Sequence, residues 1–459
     1  MALSFGTNGV RGTLDQLTPL EAVRFSKAFA LWLSKQLGKK PTVVLAHDHR
    51  LTSPLLHHAC ASGLISGGAD VTDIGMASSP TAEIMLHKLG CDGAIIVTAS
   101  HNPPEWNALK FVDWRGVAIS HEKGAEISGF LESQGVAFDK IGKIAHLEGA
   151  SETHKRLVLS NIDAKAFSKR NLKVVIDCAN GTAVLVAPYI FSELGCELIT
   201  LNSHADGHFP GRLSEPTEAN LKDLIACVVE CKADMGIAFD GDCDRVIFVD
   251  EKGTWIVGDK GLAISLAIAL EHNARSPKPV KSPVVVSTVA TSKAVEGVAS
   301  KFNATMHFTK VGAPYLSEEM LCTKAFFGGE EVGGIIWPEV SLAKDGFLAA
   351  AKVAQAVCSK PLSKYLQELP VYFNSKTKVP ADGKAKEKAL KFMSGAKVQG
   401  AKVTTLDGVR LDFADSSWVI VRASGTENYL RIFAEAKTQK QAQSLMQEYE
   451  RAVRKTIGQ

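Results

Sequence analysis

The sequence is short of several things, and each lack removes a class of function. Its longest apolar stretch, Leu262 to Leu270, falls far short of the roughly 20 residues a membrane-spanning helix needs. Met1 to Arg11 carries no apolar signal core, so a cytoplasmic protein is expected. Charge of one sign is not in excess: 52 Lys and Arg against 49 Asp and Glu leave a formal +3 over 459 residues. That balance gives no general field for nucleic acid or a membrane surface, so any affinity for anions must come from local clusters. Cysteines number nine, an odd and scattered set in which only Cys227 and Cys231 are close, at helical spacing with no second pair nearby. Reduced thiols in the core are expected. No low-complexity linker interrupts the chain, and 46% hydrophobic with 22% charged residues excludes a largely disordered protein.

A chain of this length exceeds one hydrophobic core, and domains of roughly 100 to 200 residues imply three or four. An early helix is announced by Thr18 as cap, Pro19 in the first turn, Glu21 completing a capping box, and Gly38 past the end. Apolar runs then recur at Thr42 to Ala46, Ala94 to Thr98, Lys173 to Asp177, Met235 to Phe239, Val246 to Val249 and Pro283 to Ser287. Near-continuous Val and Ile runs ending in polar, Gly-containing turns are what strands covered on both faces look like, so an α/β class follows. Val43, Val174 and Val284 open similar strand-then-turn units, which suggests repeated domains. The tail differs, with strands at Trp418 to Val421 and Tyr429 to Ala434 and a long polar-faced helix at Thr438 to Ile457. A smaller α+β domain fits it. Boundaries are expected near residues 152, 256 and 370.

Four loops carry chemistry. Thr98-Ala99-Ser100-His101-Asn102-Pro103 follows a strand, and α/β sheets collect ligands at the carboxyl ends of their strands. Ser100 needs activation to act as a nucleophile, and His101 is adjacent, with Lys110 expected nearby. Taken alone the string also reads as a turn in which Ser100 and Asn102 bond only backbone. Asp240-Gly241-Asp242-Cys243-Asp244-Arg245 sets three hard carboxylates at alternate positions, a pattern able to hold one divalent cation. An EF-hand is excluded because Arg245 stands where its sixth-position glycine is required and the flanks are extended. A solvated acidic turn is the plainer alternative, although three close carboxylates repel unless compensated. Cys243 reads as a spacer in a hard-cation loop. Gly328-Gly329-Glu330-Glu331-Val332-Gly333-Gly334 offers close backbone approach and acceptors for sugar hydroxyls, or simply a tight turn. Arg422-Ala423-Ser424-Gly425-Thr426-Glu427-Asn428, between two strands, offers a phosphate cradle or a hairpin turn.

In this order and at these separations the four loops resemble those of the α-D-phosphohexomutase superfamily. The resemblance spans nearly the whole chain, with further support from Phe5 to Gly12, Asp48 with Arg50, Asp177 to Gly181, and Asp345-Gly346. It implies four domains around a central cleft: three similar α/β domains with mixed sheets and a smaller C-terminal α+β domain. The expected divisions are a phosphoserine domain over 1–152, a metal-binding domain over 153–255, a sugar-recognition domain over 256–369 and a phosphate-binding domain over 370–459. Ser100 resembles the phosphorylated serine. Asp240, Asp242 and Asp244 resemble the Mg²⁺ ligands, with an oxygen of phospho-Ser100 completing the site. Arg11 and Arg245 supply positive charge, and Lys110 and His101 handle protons, with crowding by other cations expected to lower the Lys110 pKa. Glu330 resembles the sugar-hydroxyl contact, and Arg422, Ser424, Gly425 and Thr426 the holders of the non-reacting phosphate.

The implied reaction interconverts hexose 6-phosphate and hexose 1-phosphate through a hexose 1,6-bisphosphate that turns around in the cleft, while closure of the fourth domain keeps water out. Positioning and charge neutralisation do most of the work in such a transfer. The expected partner is a small sugar phosphate, with neither nucleic acid nor membrane, and the oligomeric state is open. Departures bear on the sugar: many members carry Ser and His where this chain has Val332 and Gly334, Pro at Asn428, and Gly at Ala108. This version of the third loop is similar to archaeal-type phosphoglucosamine or phosphomannose/phosphoglucose mutases, which favours glucosamine phosphate over the neutral sugars. A catalytically silent sugar-phosphate-binding protein and a metal phosphatase are the competing classes.

Overall fold

The computed structural model describes residues 3–395, 400–423 and 428–459. Its strands form four sheets. The first contains β1 (Val10–Thr13), β2 (Thr42–His47), β3 (Asp70–Met76), β4 (Gly93–Val97), β5 (Trp106–Asp113) and β6 (Ile144–His146), in the order β1-β5-β4-β2-β3-β6. The second contains β7 (Lys173–Asp177), β8 (Glu197–Leu201), β9 (Met235–Phe239), β10 (Val246–Asp250) and β11 (Trp255–Ile256), in the order β11-β10-β9-β7-β8. The third contains β12 (Val284–Thr288), β13 (Thr305–Thr309), β14 (Phe327–Glu330) and β15 (Gly334–Ile336), in the order β13-β12-β14-β15.

The repeat suggested by Val43, Val174 and Val284 is visible in this topology. Each of the three sheets contains a central strand, β2, β7 or β12, paired in parallel on both sides. Each then adds one antiparallel strand, β5, β10 or β15, beyond the neighbour β4, β9 or β14. The link from β4 to β5 carries Ser100, that from β9 to β10 carries the three aspartates, and Glu330 ends β14. Three of the four chemical loops thus occupy one equivalent position, the carboxyl end of a parallel strand. The central strands are buried almost throughout, as their β-branched runs require.

The fourth sheet is wholly antiparallel: β16 (Phe373–Pro380), β17 (Lys402–Thr404), β18 (Val409–Asp412), β19 (Trp418–Ala423) and β20 (Tyr429–Ala436), in the order β16-β20-β19-β18-β17. The helix Gln439–Ile457, capped by Thr438, packs Met446, Tyr449 and Val453 into its core. The first helix runs from Pro19 to Leu37 between the Thr18 cap and left-handed Gly38. The reciprocal half of its expected capping box is diverted, because the Glu21 carboxylate accepts from Arg24 Nη1 at 2.6 Å. Leu262 to Leu270 lies in the helix Gly258–Arg275, and no helix among the described residues is long and apolar enough to cross a membrane. All nine cysteines are free, but only Cys60, Cys91, Cys178 and Cys243 are buried, so the expectation of core thiols holds for fewer than half of them.

Candidate active site

The Ser100 loop is built around a buried ion pair. Arg50, with no exposed surface, donates from Nε to Asp48 Oδ2 at 3.2 Å, from Nη2 to the carbonyls of Ser100 and Asn102 at 2.8 and 2.7 Å, and from Nη1 to those of Pro103 and Trp106. All five of its N–H donors are occupied. Asp48 also accepts from the hydroxyls of Thr98 and Ser53. Ser100 sits at φ 53°, a left-handed conformation that costs a non-glycine residue of order 1–3 kcal/mol and recurs at active sites. The Arg50 and Ser214 bonds to its carbonyl hold it there.

That conformation presents the hydroxyl to the three-aspartate loop. Ser100 Oγ donates to Asp240 Oδ2 at 2.7 Å, a contact between residues 140 positions apart. The two loops approach so closely that a Cβ on Gly241 would stand 2.8 Å from the Ser100 carbonyl oxygen and 2.7 Å from Ser214 Oγ. Only glycine fits there. The carboxylates of Asp240, Asp242 and Asp244 offer oxygens all within 4.8 Å of one another, buried in every case. Cys243 stays out of the group: its thiol lies 3.4 Å from Thr182 Oγ1, and burial raises its pKa well above the usual thiol range.

The loop's charge is compensated from two other domains. Lys110 Nζ lies 2.5 Å from Asp242 Oδ2 and 3.1 Å from Asp244 Oδ2, while Lys344 Nζ lies 3.2 Å from Asp244 Oδ2 and 2.6 Å from Glu330 Oε1. Burial and the neighbouring carboxylates push the Asp240 pKa well above the ordinary range. Asp244, despite burial, is held well below it by Lys110, Lys344 and Arg245. For Lys110 the expected lowering by neighbouring cations is not found. Burial and Lys344 act in that direction, but Asp242 and Asp244 outweigh them and raise its pKa. His101 behaves oppositely. The Arg245 charge, burial and Arg11 together hold it neutral, far below the usual histidine range, with Nδ1 3.4 Å from Ser100 Oγ.

Arg11 hydrogen-bonds Asn102 Oδ1, and burial with Arg245 and Arg50 lowers its pKa to about 10. Arg245 donates its backbone N–H to Asp240 Oδ1 at 3.2 Å. Glu330 faces Lys344, and glycine at 334 leaves room for that pair, since a Cβ there would lie 2.5 Å from Lys344 Cδ. Glu331 is turned into the protein, accepting from Thr288 Oγ1 at 2.9 Å. Arg422 pairs with Asp407 Oδ2 from Nη2 at 2.7 Å and Nε at 3.1 Å. Ser424, Gly425 and Thr426 lie outside the described residues.

Several residues of the site were not singled out from the sequence. Ser79 donates to Asp242 through its backbone N–H at 3.0 Å and through its hydroxyl. Lys344 precedes the Asp345-Gly346 pair already noted. His154, with no exposed surface, joins Thr81 Oγ1 to Asp345 Oδ2, each at 2.9 Å. Asp345 in turn caps the helix Gly346–Val357, and the Gly346 N–H donates to the Cys243 carbonyl at 3.1 Å. The three-aspartate loop is therefore gripped by two helix starts tied to each other through one histidine. A lysine and an isolated histidine carry no local pattern, and only the folded contacts reveal them.

Family models bear on the same architecture. Those for the phosphoglucomutase/phosphomannomutase α/β/α domains I, II and III match residues 2–135, 152–253 and 258–373, and that for the C-terminal domain matches 374–452. The chain belongs to the phosphoglucomutase/phosphomannomutase family. Among relatives in this family is a phosphoglucomutase/phosphomannomutase of Thermococcus kodakarensis, 36% identical over 452 residues and covering 97% of each chain. A probable phosphoglucosamine mutase of Methanopyrus kandleri is 36% identical over 464 residues, 100% of this chain and 99% of that one. A crystal structure of a family protein from Burkholderia thailandensis superimposes with a TM-score of 0.85 at 26% identity, covering 99% of this chain and 97% of that one. The family's four-domain α/β architecture is the one the four sheets display.

Proposed function

We propose that the chain is a phosphohexomutase that converts a hexose 6-phosphate to the 1-phosphate through phospho-Ser100, with glucosamine phosphate as its preferred sugar. The observation that carries this reading is the 2.7 Å contact between Ser100 Oγ and Asp240 in a buried three-carboxylate loop.

The loop is suited to Mg²⁺. Asp242 Oδ1 and Asp244 Oδ1 are buried with no hydrogen-bond partner, an arrangement that is costly without a cation, and all the donors are hard oxygens. Asp240, Asp242 and Asp244 would hold the ion together with an oxygen on Ser100. When bound, it neutralises charge on the transferring phosphoryl group. Arg11 and Arg245 add fixed positive charge beside the serine. Neutral His101, 3.4 Å from Ser100 Oγ, is placed to take the proton of the Ser100 hydroxyl when it attacks and to return that proton when Ser100 departs, and Lys110 acts as a fixed cation. Glu330, held by Lys344, offers an acceptor to sugar hydroxyls, and Arg422 with Ser424, Gly425 and Thr426 would hold the phosphate that does not react. Phospho-Ser100 gives its group to the sugar monophosphate; the bisphosphate turns; the other phosphate returns to Ser100.

The preference for glucosamine rests on the pattern of the loop from Gly328 to Gly334 and on relatives named phosphoglucosamine mutase. The Thermococcus relative's name favours glucose and mannose phosphates as the second reading. Because Glu331 bonds Thr288, it lends the first reading no support as a partner for the sugar ammonium. Incubating the protein with Mg²⁺, a trace of glucose 1,6-bisphosphate and glucosamine, glucose, mannose or N-acetylglucosamine 6-phosphate decides the matter. The expected result is 1-phosphate, fastest from glucosamine; no 1-phosphate from any of them rejects the mutase, and mainly free phosphate indicates a phosphatase.

A further inference from the structure

Asp407 is absorbed by none of the roles above. It lies in the turn between β17 and β18, and its Oδ2 accepts three N–H groups: Nε and Nη2 of Arg422, at 3.1 and 2.7 Å, and the backbone N–H of Val311 at 3.0 Å. Arg422 belongs to the fourth sheet, whereas Val311 belongs to the loop that follows β13 in the third. One carboxylate oxygen therefore joins the arginine of the fourth-domain loop to the backbone of another domain.

The turn is built to put it there. Gly408 has φ +75°, and a Cβ on it would lie 2.3 Å from the Val421 carbonyl oxygen and 2.7 Å from Arg422 Cα. The turn thus lies flat on β19, beside the root of the Arg422 side chain. A second group of contacts between the two domains lies elsewhere: Arg410 stacks on Trp418 and donates to the Val289 carbonyl, and Glu435 accepts from Lys293 N–H. The Asp407 contact is separate from that group and sits with the phosphate loop.

We propose that Asp407 is a positioning residue that orients Arg422 for phosphate and, through Val311, ties the phosphate loop to the third domain. The pair uses the Nε and Nη2 edge of the guanidinium and leaves Nη1 out of it. A flexible arginine fixed along one edge has already lost the freedom that binding an oxyanion with the other would cost. The same oxygen makes the guanidinium's orientation depend on the loop around Val311, so a closed fourth domain and a poised arginine occur together. The orienting role rests on the mutase reading; the tie to Val311 is independent of it.

Asp407→Asn tests both parts, with Asp407→Ser as the second variant should the amide fail to fold. Binding of glucose 6-phosphate is followed by calorimetry, turnover by steady-state kinetics, and exchange of the Val311 amide by hydrogen–deuterium exchange without ligand. The expected result is a Kd and KM raised about tenfold, a kcat that moves far less, and faster exchange at Val311, with Asp407→Glu recovering part of the binding. A general structural fault lowers kcat and KM performance together and fails this split. An unchanged or tighter Kd, or an unchanged Val311 exchange rate, overturns the proposal. If the parent binds the sugar phosphate but does not isomerise it, the mutase reading fails while the Kd and exchange measurements still judge Asp407.

Discussion

Two arginines show how differently the two ends of the site are built. Arg50 is fully buried and spends every donor on Asp48 and on carbonyls of the Ser100 loop. Arg422, in the fourth domain, is held along one edge by a single carboxylate oxygen. An arginine with no donor left is scaffold; an arginine gripped along one edge is presented. The Ser100 end is thus fixed in advance by contacts among the first three domains, while Arg422, the residue proposed for the other phosphate, is oriented by one carboxylate oxygen. For the proposed turn of a bisphosphate between two orientations, a rigid reacting end and an arginine held along one edge fit the task.

The largest effect expected from this contrast is at the reacting end itself. Asp242→Asn should lower kcat roughly 10²- to 10³-fold, the range seen when one electrostatic stabiliser is removed, and weaken Mg²⁺ binding measured by calorimetry. A loss of less than tenfold would mean that the three-carboxylate loop is not where charge is neutralised. Next in size is Arg50→Lys. A lysine cannot replace five planar donors, and breaking a buried pair costs about 3–5 kcal/mol, so denaturant unfolding should show a comparable loss together with most of the activity. If instead activity falls with stability unchanged, Arg50 is more than scaffold.

His154→Ala should be milder. It leaves Asp345 and Thr81 short of one buried bond each, about 3 kcal/mol in sum, and loosens the grip on the three-aspartate loop, which a chelator titration of the melting temperature can read if that loop holds Mg²⁺ as proposed. The smallest effect concerns the boundary with the fourth domain. Asp259 accepts from Ser292 N–H and from Asn374, and burial, aided by Glu331 and Glu435, raises its pKa to about 7. A carboxyl raised in the folded state contributes stability below its unfolded value near 4, and that contribution is lost as pH rises through about 7. Asp259→Asn should therefore melt a few degrees higher than the parent at pH 8 and show little difference at pH 5.

The reacting end was also the more legible in sequence. Lys173–Asp177 and Met235–Phe239 are strands at the residues their apolar runs mark, because strands buried on both faces leave no room for polar residues. The loop after Met235–Phe239 announced the three aspartates by position, and that after Gly93–Val97 announced Ser100. What the sequence could not show were single residues whose role depends on a distant partner. Lys344 is one lysine among many until it meets Glu330 and Asp244, and His154 is one histidine until Thr81 and Asp345 enclose it. The charge of Lys110 is set by carboxylates more than 130 positions away, not by the cations nearby. Cys227 and Cys231 lie part-exposed on the helix Lys222–Glu230 or at its end, not in the core where thiols are expected.

The account stands on phosphorylation of one hydroxyl beside three acids. Incubation with glucose 1,6-bisphosphate, followed by intact-mass measurement and peptide mapping, tests it most directly. The expected result is a single added phosphoryl group, about 80 Da, mapped to Ser100, dependent on Mg²⁺ and lost in Asp240→Asn. Phosphate on another residue, or on Ser100 regardless of the aspartates and the ion, would contradict it.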